Sequence, residues 1–453
     1  MSRLETDKDT ICALATAHGT GAISVIRISG TQAAEISRKL AAFLPRQAES
    51  HKIYYGILRT IDTGEAIDEV LLSYFQEGRS FTGETTVEIS CHGSESVVNE
   101  ILRNLLLAGA RPARRGEFTY RAFIRGRLDL VQAESVLAMI ESSSPRATRL
   151  ALRQLQGGFS SRLKEILDDL TWSAAQLEAN IDFASEDIII ASAEQISARL
   201  RQALERTDEL VSGYGQGRIL RSGFQVALVG QPNVGKSSLL NRLVNEERAI
   251  VTPVAGTTRD FVEASTVIDG VKVTFVDTAG LRETTDQVER IGIERSWQKI
   301  SEVDAIFFVE EAGRFIDRGI FERMPLDRTA VVWSKVDLCQ ASDDPLAAKA
   351  QAILPISVVE NRGLDTLRDW LKERMGSGLA EDSTLVSNAR HFEGLKVLKT
   401  CLEKALPLLA DGESPDLVAL DVQEGIRAVY EVLGWTFDDQ VMDRVFSEFC
   451  LGK

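Results

Sequence analysis

The sequence predicts a multidomain chain: an α+β N-terminal domain, an all-α central helical domain and an inserted α/β domain. Three observations predict it. Strand and helix patterns alternate over residues 1 to about 118. Apolar residues then recur at steps of three and four from about 119 to 217, and helical patterning returns over 379–453. Between the two helical stretches, over 218–378, a glycine-rich loop joins an apolar strand to a helix. The helical domain therefore reads as 119–217 completed by 379–453, with 218–378 as an excursion.

In the first domain, Thr10 to Ala15, Ile23 to Ile28, Ile53 to Leu58, Val70 to Phe75 and Thr86 to Cys91 have strand patterning. Gln32 to Ala42 reads as a helix, as does Glu95 to Ala108, which stops at Gly109. Beyond it, Leu155, Phe159, Leu163, Leu167, Leu170, Ala174 and Leu177 form one apolar stripe. Ser144-Pro145 supplies a cap and a first-turn proline, so one long helix is expected. Gly213, Gly215 and Gly217 break the pattern and predict a linker.

The chain has 453 residues, enough for two to four domains, and 44% hydrophobic content. No apolar run approaches a membrane span, the N-terminus lacks a signal-peptide shape, and Cys12, Cys91, Cys339, Cys401 and Cys450 show no Cys-x-x-Cys spacing. A cytoplasmic protein without a zinc site is expected. The net charge of −15 argues against nucleic-acid binding driven by overall charge. Local basic clusters at 110–116 and Arg121 to Arg127 are candidate RNA contacts; a solvated loop serves as well for the first.

Phe224 to Val229 leads as a buried strand into Gly230-Gln231-Pro232-Asn233-Val234-Gly235-Lys236-Ser237, and a helix follows from Ser238. Glycines let backbone N–H groups curl around phosphate oxygens at a helix start. Asn233, Val234, Gly235, Lys236, Ser237 and Ser238 are the expected triphosphate contacts. Lys236 reaches the β- and γ-phosphates, and the Ser237 hydroxyl ligates Mg²⁺. Four elements follow in order. Gly256-Thr257-Thr258-Arg259-Asp260 offers a threonine hydroxyl to Mg²⁺, assigned to Thr258, and an N–H to the γ-phosphate. Val262 to Ile268 and Val271 to Val276 form a hairpin around Asp269-Gly270. Asp277-Thr278-Ala279-Gly280 holds the Mg²⁺ water shell and meets the γ-phosphate. Ser334-Lys335-Val336-Asp337 follows a strand, and Asp337 can accept from the N1 and N2 edge of guanine. Ser357, after the last strand, closes the set. The order implies a GTP-binding domain.

Leu281 stands where many GTPases place a water-orienting glutamine. Glu283 and Glu289 are nearby carboxylates, and Glu289 reads equally as a helix cap. Arg259 is a candidate arginine finger or a surface residue. A monovalent cation on the Asn233 carbonyl is a third route.

The chain resembles the bacterial tRNA-modification GTPases of the TrmE-Era-EngA-like family along its whole length. The matching stretches include Gly230 to Ser238, Gly256 to Asp260, Asp277 to Glu283, Val288 to Glu294 and Phe449-Cys450-Leu451-Gly452-Lys453. Val25 to Gly30, Ser80 to Glu84, Gly116 to Thr119 and Leu128 to Glu134 match in the first domain. The resemblance implies a folate-binding-like N-terminal domain that builds a homodimer. It implies K⁺-dependent GTP hydrolysis on G-domain dimerisation, with K⁺ on Asn233, Thr252, Val254 and Thr257, and Glu289 orienting water beside Lys236. It implies a tetrahydrofolate derivative on Arg27, Glu88, Arg127 and Lys453; on local chemistry alone Arg27 and Glu88 would be an ion pair. It also implies tRNA wobble-uridine modification with a FAD-containing partner subunit in a heterotetramer, without stable membrane insertion. Cys450 is open to tRNA chemistry or to a buried structural role. Ser334 departs from the usual asparagine, so contacts to guanine and the phosphate loop are expected to weaken. The competing functional class is a GTP-state switch gating assembly of a ribosomal or membrane complex.

Overall fold

The structure, a computed structural model, describes residues 9–182, 191–245, 262–277, 296–376, 385–411, 415–436, 439–450 and 452–453. Its contacts divide the chain into two compact units. One holds Met1–Leu137, Gln154–Arg199 and Lys404–Lys453; the other holds Ala138–Arg153 and Leu200–Glu403.

The first unit contains β1 (Ile11–Leu14), β2 (Ile23–Ser29), α1 (Ala33–Leu40), β3 (Lys52–Arg59), β4 (Ala66–Phe75), β5 (Thr86–His92), α2 (Glu95–Leu107), β6 (Arg111–Pro112) and α3 (Glu117–Ile124). The strands form one sheet in the order β3-β4-β5-β2-β1-β6. Its pairs are antiparallel except β1–β6. The two-residue β6 was not expected, being too short to show a period. Alternation sends Ile26, Ile28, Leu72, Val87 and Ile89 to a face covered by Ile36, Leu40, Val98 and Leu105 of α1 and α2. Arg27 and Glu88 consequently point to the opposite face, directly across a strand pair.

Then follow α4 (Leu130–Glu141), α5 (Pro145–Leu155), α6 (Gly158–Asp182), α7 (Ala193–Ser212) and α8 (Tyr214–Ser222). The expected long helix is thus two. Gly157 between α5 and α6 takes φ 88°, a left-handed conformation that ends the first helix. The apolar stripe survives the break because α6 carries nearly all of it. The predicted linker at 213–217 is also corrected. Tyr214–Ser222 is helical, and a Cβ on Gly217 would lie 2.0 Å from the Val386 carbonyl oxygen. Gly213 and Gly217 permit close packing rather than flexibility.

The second unit carries β7 (Phe224–Val229), α9 (Lys236–Asn245), β8 (Val262–Ile268), β9 (Val271–Asp277), β10 (Ala305–Glu311), α10 (Arg318–Phe321), β11 (Thr329–Ser334), β12 (Ala352–Pro355) and α11 (Leu364–Arg374). The sheet runs β12-β11-β10-β7-β9-β8, parallel except for the β8–β9 hairpin. β10 and β11 are buried almost throughout, as a parallel sheet covered on both faces requires. The hairpin turn has positive φ at Asp269 and Gly270 (51° and 75°). Arg146, at the start of α5, holds this turn: its guanidinium lies 2.9 Å from Asp269 and its N–H donates to the Gly270 carbonyl at 3.3 Å.

The last helices are α12 (Ala389–Ala410), α13 (Pro415–Leu433) and α14 (Asp439–Ser447). Within the first unit α13 packs along α6. Met442, Phe446 and Phe449 join Tyr120, Phe123 and Leu130 in one apolar cluster.

Candidate functional site

The phosphate loop sits at the carboxyl end of β7, where an open parallel sheet places its ligand crevice. Gly230 has φ 150°, and a Cβ there would lie 2.1 Å from the Val309 carbonyl oxygen, so only glycine fits. Asn233 takes φ 65° and Gly235 φ 102°. This turns the chain so that α9 begins at Lys236, with Ser237 and Ser238 exposed on its first turn. Lys236 donates to the carbonyls of Gly230 (2.8 Å) and Gln231 (3.0 Å). Burial pulls its pKa below the ordinary value against the attraction of Asp277 and Glu310.

Asp277 ends β9, and burial raises its pKa above the usual carboxylate value, opposed by Lys236. Its Oδ1 is buried and has no hydrogen-bond partner among the described residues. An orphaned anionic oxygen beside a hydroxyl-bearing helix start fits a hard cation such as Mg²⁺. Sequence reasoning missed Glu310 on β10. It is 2% exposed, its Oε2 also lacks a partner among the described residues, and burial raises its pKa. Nothing in a strand of buried residues marked this carboxylate as part of the site.

The base-reading loop follows β11. The Ser357 hydroxyl, donating to the Asp337 carboxylate, holds that carboxylate below its ordinary pKa. Lys335 reaches the Asn233 carbonyl (3.2 Å) and Glu311 (3.1 Å). Ser334 corrects an expectation. Its hydroxyl lies 2.6 Å from the carbonyl oxygen of Val234, so the contact to the phosphate loop is kept. The shorter side chain suffices because the end of β11 comes close to the loop: a Cβ on Gly235 would lie 3.8 Å from the Ser334 side chain. The structure thus brings together Asn233, Val234, Gly235, Lys236, Ser334, Lys335 and, through Asp277, the end of β9. Thr252, Val254, Thr257, Thr258, Arg259, Thr278, Ala279, Gly280, Leu281, Glu283 and Glu289 lie outside the described residues.

A second polar cluster lies on the other face of the N-terminal sheet, beside the buried Ile11, Ala13 and Phe118. Arg27 Nε donates to Glu88 at 2.8 Å, and the guanidinium sits 5.4 and 5.5 Å from the ring centroids of Phe81 and Phe118. Lys453 is half-buried; its pKa is lowered by burial and then by Arg27, while Glu88 and Cys450 oppose the shift. The tail is seated by Phe118 N–H on the Lys453 carbonyl (3.2 Å) and Arg115 on the Phe449 carbonyl (3.0 Å). The exposed Arg127 has its stem against Gly83, two residues from Phe81. Three cations, a carboxylate and the partly exposed Phe81 ring suit a flat ligand carrying carboxylates and a donor edge. Cys450 is a free, exposed thiol, so the buried structural role is excluded.

Three arginines of the basic clusters are held in ion pairs, while Arg114, Arg115 and Arg127 are exposed. Arg111 pairs with Asp9 and Glu117. Arg121, 2% exposed, meets Asp9 (2.8 Å), Glu84 (3.1 Å) and Glu117 (3.0 Å). Arg125 meets Glu84 at 3.0 Å. These arginines hold the domain together; their carboxylate partners lie up to 112 residues away in sequence.

A glycine-rich loop between β7 and α9, an aspartate ending β9 and a base loop after β11 define a P-loop GTPase, joined here to an α+β domain and a helical domain. Residues 10–127 match the family model described as GTP-binding protein TrmE N-terminus, and 130–450 match the MnmE helical domain. The chain is 46% identical to the tRNA modification GTPase MnmE of Bdellovibrio bacteriovorus, with 100% of this chain and 99% of that one covered. It is 39% identical to the same-named protein of Geobacter metallireducens, covering 98% and 99%. The chain belongs to the MnmE family of tRNA modification GTPases. No helix among the described residues is long and apolar enough to cross a membrane.

Proposed function

We propose that this GTPase acts in wobble-uridine (U34) modification of tRNA, with a flavin-containing partner subunit, adding a carboxymethylaminomethyl or aminomethyl group at carbon 5. The observation that carries the reading is the phosphate loop at the start of α9, where half-buried Lys236 feels the charge of Asp277, in a chain with full-length relatives of that family. In this reading the N–H groups of 233–238 receive phosphate oxygens, and Lys236 neutralises the charge that grows on them. Ser237, Thr258 and Asp277 hold Mg²⁺, which neutralises the β- and γ-oxygens when bound. Asp337 and Ser357 orient the base. Asn233, whose side chain is exposed, offers a carbonyl to K⁺ with Thr252, Val254 and Thr257. Glu289 orients the attacking water, and facing G domains of a homodimer order these loops. Arg27, Glu88, Arg127 and Lys453 hold a tetrahydrofolate derivative that supplies the carbon, with Cys450 beside it.

The domain reading is proposed alongside: helices on both sides of an inserted G domain form one helical domain. Packing of α6 on α13, and of Tyr214 on Phe392 at 3.9 Å between ring centroids, supports it. The test is mass spectrometry of tRNA nucleosides from a deletion strain. Loss of the C5 side chain at U34 is expected. Unchanged nucleosides would favour the assembly-switch reading. GTP turnover in K⁺ against Na⁺ at equal ionic strength tests the cation; equal rates would remove it.

A further inference from the structure

Ser334 is 3% exposed at the end of β11. A serine hydroxyl has one proton to donate. Ser334 Oγ lies 2.6 Å from the Val234 carbonyl oxygen and 3.2 Å from the Glu310 carbonyl oxygen. Both neighbours are acceptors only, so the proton is committed between them. Lys335 is engaged in the same direction, on the Asn233 carbonyl at 3.2 Å. Two consecutive side chains therefore hold two consecutive carbonyls of the phosphate loop.

Guanine N7 is an acceptor and needs a donor. A base with its N1 and N2 edge on Asp337 carries N7 on its opposite edge, toward the start of the 334–337 loop. An asparagine at 334 would bring two amide protons, one for a loop carbonyl and one for N7. Serine brings one, already used. We infer that this chain recognises guanine without a donor to N7 from residue 334, and that Ser334 is a positioning residue for the phosphate loop. Selectivity then rests on Asp337, whose pKa the Ser357 hydroxyl lowers. The inference rests on the guanine-nucleotide reading of the site.

The probe is 7-deaza-GTP, in which carbon replaces N7. Dissociation constants for GTP and 7-deaza-GTP are measured on full-length wild type, Ser334→Asn and Ser334→Ala. Wild type binds the two within about twofold of each other. Ser334→Asn prefers GTP by about three- to tenfold, the worth of one neutral hydrogen bond. Ser334→Ala weakens both nucleotides alike and leaves their ratio unchanged. A wild-type preference for GTP of fivefold or more overturns the inference while leaving the nucleotide reading intact. Failure of wild type to bind GTP at all overturns both. The wild-type ratio decides the matter even if Ser334→Asn does not fold.

Discussion

Two regions of this molecule bury charge in opposite ways. In the N-terminal domain, Arg121 is almost fully buried and is met by Asp9, Glu84 and Glu117. Burial opposes its charge and that of Glu117, yet the partners win: Arg121 is held above its ordinary pKa and Glu117 below. In the nucleotide site, burial prevails. Lys236 is pulled down, and Asp277 and Glu310 are pushed up. Asp277 Oδ1 and Glu310 Oε2 have no partner among the described residues. Charges that face one another stabilise a fold. Charges left short of partners at a loop and helix start are available to a ligand.

The largest effect that sharpens this contrast is on stability. Arg121→Ala takes a buried cation away from Glu84 and Glu117, which keep Arg125 and Arg111, and costs about 3–5 kcal/mol by urea denaturation. A loss under about 1 kcal/mol would make the network ornamental and erase the contrast.

Acid separates the regions next. Glu117 and Asp9 have folded pKa values below their ordinary 4.5 and 3.8. Their stabilisation is present above those ordinary values and is lost as pH falls through the lower folded ones. Glu310 and Asp277 are raised above 4.5 and 3.8. Their ionisation penalty grows as pH rises through those values and disappears in acid. Hydrogen exchange followed below pH 5 should therefore show the N-terminal sheet loosening before β7 and β10. The reverse order would contradict the assignment.

A smaller change follows from Glu310→Gln, which removes a buried carboxylate and raises stability by up to about 1 kcal/mol at pH 7. Destabilisation beyond that would mean the charge is satisfied inside the protein. Smallest is Arg146→Ala. Its ion pair to Asp269 joins side chains 33% and 38% exposed, so the loss is about 0–1 kcal/mol by urea titration.

Legibility in the sequence followed the range of the interactions. The phosphate loop, the Asp269–Gly270 turn and the strand ends at Asp277 and Ser334 are local, and composition and order revealed them. The Arg121 network was misread as a basic patch because its carboxylates come from Asp9 and Glu84, far away in sequence. The split at Gly157 escaped because the apolar stripe continues across it. Glu310 escaped because a glutamate among buried strand residues carries no spacing signal. Ser334 was seen, but its tether to Val234, 100 residues away in sequence, depends on the folded sheet.

Lys236 serves a ligand and contributes little to the fold. The most direct test is GTP binding and thermal unfolding measured together on Lys236→Ala. The account predicts at least about a hundredfold loss of affinity, from losing a charge-assisted contact in a partly buried site, with melting within about 2 °C of wild type. Retained affinity, or a melting temperature that falls by about 5 °C or more, would contradict it.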